Sequence, residues 1–327
     1  MPVTVIKAKQ PSDDPIVQVA ERLEGKIRDA FIAAIAVLKD KINLEDLAEA
    51  MATGTTDTVI GMLNIDDALA NAMKGAGLEA GEASVRGAIQ QTFAAGAKAA
   101  ILQLPKQIQV DLSFNLMNPE SVKFLEAYEF NLIQQVTQDM VAAIRQVIAR
   151  AFQEGGHPYE QAREIRTMIG LTARQEQAVE NYRTALESGN YSQALDRALR
   201  DGRYDRGLLN AIAQNKPLVQ ERIDAMVDRY SARYVKYRAE TIARTESLRA
   251  ANKGQRALWG QAKEQGLLPA EVLRRWIAIG DDRTCPICDD LDGSEVGMDE
   301  EFDGGILEPP AHPDCRCSLG LSFPKAA

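Results

Sequence analysis

Histidine and cysteine are scarce in this chain. Its 327 residues include two histidines and four cysteines, and aromatic side chains make up only 6%. With only His157 and His312, catalysis built on imidazole has little to work with. No H-E-x-x-H, G-x-x-x-x-G-K-[ST] or G-x-S-x-G pattern occurs, so the common metalloprotease, phosphate-loop and hydrolase signatures are absent. A Ser/His/Asp triad would have to use His157, which follows a Gly-Gly pair and reads as the start of a helix. A nucleobase deaminase places its His-x-Glu ahead of P-C-x-x-C. Here His312 comes after the C-x-x-C and is followed by Pro-Asp, so the order fails. No apolar run approaches the roughly 20 residues of a membrane span. The first residues, MPVTVIKAKQPSDD, lack the apolar centre of a signal peptide. The chain is therefore expected to be made and used in a cytosol, where thiols stay reduced, and no catalytic residue is assigned.

What is present favours helices. Hydrophobic residues reach 45%, and alanine, leucine, glutamine and glutamate are frequent. Asp14 and Pro15 read as an N-cap and first helical position. Val19, Leu23, Ile27, Phe31 and Ile35 then recur every four residues as one apolar face. Thr172-Ala-Arg-Gln175 fits a capping box. Asn118-Pro119 reads as a cap and first turn. From about Pro217 to about Ala251 there is neither glycine nor proline, and such a helix would span about 50 Å. Ile223, Val227, Tyr230, Tyr234 and Tyr237 share its apolar stripe. Beyond Gly266 the pattern shortens to strands, in EVLRRWIAI, SEVG and RCSLGLSF. The expected fold is mainly α with a small C-terminal α+β lobe of short antiparallel strands. Three regions are expected: a helical region over 1–110, a helical body over 111–265 holding the long helix at about 217–251, and the Cys/His lobe over 266–327.

Charge is unevenly distributed. The chain carries a net −9, yet residues 144–275 hold 23 basic and 16 acidic side chains, while residues 276–327 hold 3 and 12. A basic middle between acidic ends suits contact with phosphate or with an acidic protein surface. Arg197, Arg200, Arg203 and Arg206 are the candidates for nucleic-acid contact, with DNA as the partner. The plainer alternative is that these arginines sit on solvated helix faces.

All four cysteines lie between residues 285 and 317. Cys285 and Cys288 form C-x-x-C, and His312, Cys315 and Cys317 form H-x-x-C-x-C. A tetrahedral zinc site takes four nitrogen or sulfur ligands, commonly as two close pairs on two turns. Cys285, Cys288, His312 and Cys315 are the favoured ligands, with Cys317 the alternate for His312 or Cys315. Two disulfides or unlinked thiols are the alternatives. A site closed by four protein ligands is structural, and a lobe with few large apolar residues gains stability from such a clip.

Two stretches combine into a family pattern. YRAETIARTESLRAANKGQRALW (237–259) and RRWIAIGDDRTCPICDDLDG…PPAHPDCRC (274–317) together resemble the Mu F-like minor head proteins, also called phage head-morphogenesis proteins. The resemblance covers roughly residues 130–320. It runs through Ile242-Ala-Arg-Thr-Glu246, Ala251, Asn252, Gly254, Trp276, Asp281 to Cys288, Leu291 to Gly293, and Pro309 to Cys317. It implies a virion component of a tailed-phage head, near the portal vertex, that helps procapsid assembly and DNA packaging or delivery. The implied partners are the portal protein, a major capsid or scaffolding protein and the phage genomic DNA, without a membrane, and the host cytoplasm is the site of assembly. Some related C-terminal domains are grouped with ADP-ribosyltransferases, but Arg244 and Glu246 lie on one helix and supply no NAD site. Arg244, Glu246, Asn252 and Arg283 are expected instead to organise the junction between the long helix and the lobe.

Overall fold

The structure, a computed structural model, describes residues 14–77, 84–109, 112–115, 119–155 and 157–323. The helices in chain order are α1 (Pro15–Asp40), α2 (Leu44–Thr53), α3 (Thr56–Leu63), α4 (Ile65–Lys74), α5 (Val85–Ile101), α6 (Lys106–Gln109), α7 (Pro119–Glu154), α8 (Pro158–Met168), α9 (Ala173–Glu187), α10 (Tyr191–Leu195), α11 (Asp205–Gln214) and α12 (Gln220–Glu264). Strand β1 (Leu273–Ile277), helix α13 (Pro286–Leu291), β2 (Glu295–Gly297) and β3 (Ser318–Ser322) complete it. The chain is mostly helical with one small antiparallel sheet of order β2-β1-β3, in which Trp276 faces Leu319 across the β1–β3 pair. The three strands fall where the alternation of the sequence placed them.

Local chemistry sets the helix starts. The Asp14 carboxylate accepts from the backbone N–H groups of Ile16 and Val17, at 2.8 and 3.2 Å, ahead of Pro15. Two donors left open at the start of α1 are thereby satisfied. Thr172 and Gln175 make the reciprocal capping box of α9. His157 caps α8 through its ring nitrogen, with Pro158 as the first helical residue. Asn118, the expected cap of α7, lies outside the described residues.

Two units divide the chain. The first comprises residues 1–30, 83–129 and 240–327; the second comprises 31–82 and 130–239. The first unit's core gathers α1, α5, the end of α12 and the sheet around Trp259 and Trp276, both fully buried. The long helix was expected to stop near Ala251, because glycine follows. It continues to Glu264, through Gly254 and Gly260. The reason is packing: a Cβ on Gly254 would stand 2.0 Å from the Phe93 carbonyl oxygen, and one on Gly96 would stand 2.2 Å from that of Ala251. These glycines let α5 and α12 touch backbone to backbone, and the burial gained offsets their poor helix propensity.

In the second unit Val227 and Tyr230 of α12 are buried as expected, and Tyr230 stacks 4.3 Å from Tyr182. Tyr237 departs from the expected stripe and is 51% exposed. The buried face turns instead through Val235, Arg238 and Ala239. Arg238 is buried because it has two partners, the Gly170 carbonyl at 2.9 Å and Asp139 at 2.7 Å. Arg150 collects Glu164, Glu176 and Glu180 at 2.5, 2.7 and 3.6 Å.

Candidate metal centre

The first knuckle is built by a turn before α13. Asp281 accepts from the Arg283 N–H, Thr284 N–H bonds back to the Asp281 carbonyl, and Thr284 Oγ1 accepts from Asp281 N–H. That turn delivers Cys285 as the N-cap of α13, its sulfur 3.5 Å from the N–H of Cys288. Pro286 fixes the first helical position. One short turn therefore aims both thiols to the same side.

The second knuckle is His312 to Cys317. Cys315 N–H bonds the His312 carbonyl, and Asp314 takes a left-handed conformation at φ 60° to allow it. His312 Nδ1 lies 2.7 Å from the Pro313 carbonyl oxygen. A carbonyl only accepts, so Nδ1 carries the proton and Nε2 presents its lone pair. That lone pair faces the Cys285 sulfur at 3.1 Å and the Cys288 sulfur at 3.2 Å.

The donors converge. Cys285, Cys288 and His312 form one set of ligand atoms within 4.8 Å of one another, and Cys288, Cys315 and Cys317 form a second. Cys288 belongs to both, and its sulfur is 3.8 Å from that of Cys315. Zinc–sulfur bonds of about 2.3 Å in a tetrahedron set thiolates about 3.8 Å apart. A cavity of about 20 Å³ lies among these groups, lined also by Ile279, Arg283, Thr284, Asp314 and Arg316. Donor type, tautomer and space suit a metal ion, while the four expected ligands are divided between the two sets, Cys315 standing in the second and Cys285 and His312 in the first. The cluster is thus capable of coordinating a metal. Its acidities are uneven. The Cys317 thiol donates to Cys315 and, against the effect of burial, draws the Cys315 thiol down to about 5. Burial pushes Cys288 up to about 12. Burial acts to raise Cys285, but the N–H of Cys288 and the His312 ring together lower it. Three of the thiols are buried and pack into the first unit's hydrophobic core.

The residues expected at the junction separate into different roles. Arg244 bonds Asp314 at 3.1 Å and lies 3.8 Å from Glu24. Its neighbour Thr245 accepts from Asp314 N–H at 3.1 Å. Together these two tie α12 to the second knuckle. Glu246 pairs with Arg249 of its own helix at 3.2 Å. Asn252 donates to the Leu248 carbonyl, again within α12. Arg283 is exposed and lies 3.5 Å from Asp281. Sequence reasoning missed the strongest link between the knuckles: Arg316, set between Cys315 and Cys317, donates to Asp281 through both terminal nitrogens at 2.9 and 2.6 Å. The alternation of Asp, Arg and Cys in the two motifs carried that signal. It also missed Arg274, fully buried in β1, which donates to the carbonyls of Gly297, Glu300 and Leu307 and lies over the Phe302 ring.

The basic candidates are partly neutralised. Arg200 grips Asp205 at 3.0 and 2.9 Å, and Arg203 pairs with Asp201 at 2.5 Å. Arg197 is half-buried, and Arg206 is exposed.

Residues 176–320 match the family model described as Phage Mu protein F like protein. That match supports the phage head-morphogenesis kind of protein in general. It spans the long helix and both knuckles; residues 130–175, which the resemblance included, fall outside it. No curated protein and no solved structure matches. Among the described residues, no helix is long and apolar enough to cross a membrane.

Proposed function

We propose that Cys285, Cys288, His312 and Cys315 hold one structural zinc ion, with Cys317 the alternate donor. The ion would fasten two knuckles that Asp281–Arg316 already draws together and that Arg244 and Thr245 tie to α12. The chain then acts as a minor component of a tailed-phage head, assembled in the host cytoplasm and carried in the virion. Its place is near the portal vertex, where it aids procapsid assembly and DNA packaging or delivery. The portal is the primary partner, and a major capsid or scaffolding protein and the genome are neighbours. No catalytic role is proposed. The observation that supports this reading is that one region holds both the family match and two Cys/His donor sets that share Cys288.

Two measurements test it. Metal analysis of the purified chain, with thiol counting, is expected to give one zinc per chain and protected thiols. Four reactive thiols without metal would reject the clip. Co-purification with the portal is expected to give a complex; normal particles assembled without this chain and no portal binding would reject the assembly role.

A further inference from the structure

The exposed face of α12 in the second unit carries a narrow cationic stripe. Arg222, Arg229, Arg233 and Lys236 are all exposed. Their spacing of 7, 4 and 3 residues returns each to within about 60° of the others on a helix of 3.6 residues per turn. The stripe is about 21 Å long at 1.5 Å per residue. It is fixed rather than loose. Arg222 lies 5.6 Å over the Tyr204 ring. Arg233 donates to the Arg200 carbonyl at 2.6 Å and shares Asp201 with Arg203. Apolar side chains of the same unit stand open to solvent: Tyr237 follows the stripe on α12, Val219 precedes it at 64% exposure, and Leu209 and Ile212 stand on α11.

The first unit carries the complement. Between residues 282 and 303 nine acidic side chains are exposed; Arg283 is the one base within that stretch, and Arg256 and Lys263 reach Asp299, and Arg275 reaches Glu295, from outside it. Ile287 projects from α13 amid them, 54% exposed, beside Asp289 and Asp290. A polyanion such as DNA would find no use for open apolar side chains on the cationic unit. A protein surface that is acidic with an apolar centre matches both the charge and the open apolar residues. This chain has such a surface.

We propose that the α12 stripe of one copy docks on the acidic 282–303 face of a second copy, head to tail. The two patches differ, so the contact is heterologous. Repetition closes a ring or extends a filament, as the rotation between copies dictates. The proposal is independent of the zinc and of the head-assembly reading.

The test uses the full chain in analytical ultracentrifugation. Between about 0.01 M and about 1 M salt the screening length falls from about 30 Å to about 3 Å. Wild type is expected to associate at low salt and to weaken at least about tenfold over that range. R229E/K236E reverses one face and D289K/D290K the other, with E301K/D303K as a second acidic-face variant should the first not fold. Each alone is expected to be monomeric. Mixed, an acid-reversed and a base-reversed chain again present opposite charges to each other, so they are expected to associate where neither does alone. A monomeric wild type at every salt concentration overturns the proposal, as does association that neither reversal alters. Salt-sensitive binding of a duplex DNA fragment that R229E/K236E abolishes, in a chain that never self-associates, overturns it in favour of a nucleic-acid surface.

Discussion

Substituting alanine for glycine at two positions of one helix should move stability in opposite directions. Gly254 and Gly260 both lie in α12, six residues apart. At Gly254 the new methyl would sit 2.0 Å from the Phe93 carbonyl oxygen and 2.8 Å from the Ala97 nitrogen. Ordinary carbon–oxygen contacts begin near about 3.3 Å, so α5 must retreat by roughly 1.3 Å. Both obstructing atoms are backbone, which no rotamer change relieves. Overpacking of this kind costs about 1–3 kcal/mol or more, against about 1 kcal/mol gained in helix propensity. With the clash on backbone, the net for G254A is a loss of about 2 kcal/mol, or about 4–8 °C in Tm for a unit of this size. At Gly260 a methyl group would find nothing within 4 Å, so only helix propensity remains and G260A should gain about 0.5–1 kcal/mol. The readout is specific, because the only two tryptophans, Trp259 and Trp276, are both buried in the first unit. Thermal unfolding followed by tryptophan fluorescence reports that unit directly. If G254A unfolds at or above the temperature of G260A, the close crossing of α5 and α12 is wrong.

Other expectations follow from the candidate site. Removing metal with a chelator, or C285S or H312A, should lower the unfolding temperature seen by tryptophan and raise the number of reactive thiols; unchanged melting in the chelated chain would show that the ion is not structural. The guanidinium of Arg316 holds Asp281 well below the usual carboxylate range, despite some desolvation. A depressed folded-state pKa contributes stability above the unfolded value of about 3.9 and loses it as pH falls through and below that value. D281N should therefore be less stable than wild type at pH 7, and the gap should narrow below about pH 4; a gap independent of pH would remove the ion pair from the account. R274A should leave three buried carbonyls short of a donor, at about 1–3 kcal/mol for each that finds no water, and urea unfolding should show a loss of at least about 2 kcal/mol. An R244A chain should keep its helices by circular dichroism yet expose the knuckle thiols faster to a thiol reagent; an unchanged rate would deny Arg244 its hold on Asp314.

Much of this was legible because it depends on residues close in sequence. The cap at Asp14, the capping box at Thr172 and the turn that sets Cys285 beside Cys288 all operate within three or four positions, where composition and spacing carry the physics. The strands were legible from alternation. The donors on both knuckles were legible because metal chemistry restricts the residue types. What escaped depends on three-dimensional neighbours. Gly254 reads locally as a helix stop, and only the approach of Phe93 turns it into a packing residue. Glu246 and Asn252 stand in a motif with Arg244, and spacing alone does not show that Glu246 lies 3.2 Å from Arg249 or that Asn252 donates to the Leu248 carbonyl. Arg274 looks like one more surface arginine in an arginine-rich stretch. Its burial depends on a loop that ends more than 30 residues later, at the Leu307 carbonyl.

The hydrogen bond from Ser318 to the other oxygen of the Asp14 carboxylate joins positions 304 apart. The first unit is assembled from three stretches of chain, between which the second unit is spelled out. During synthesis, α1 emerges from the ribosome long before the strand that completes its surroundings. Contacts so distant in sequence close late. The apolar side of that first helix, from Ile16 to Leu23, can meet α5 early but lacks the rest of its cover until β3 has been made, and apolar surface left waiting in this way is prone to aggregation.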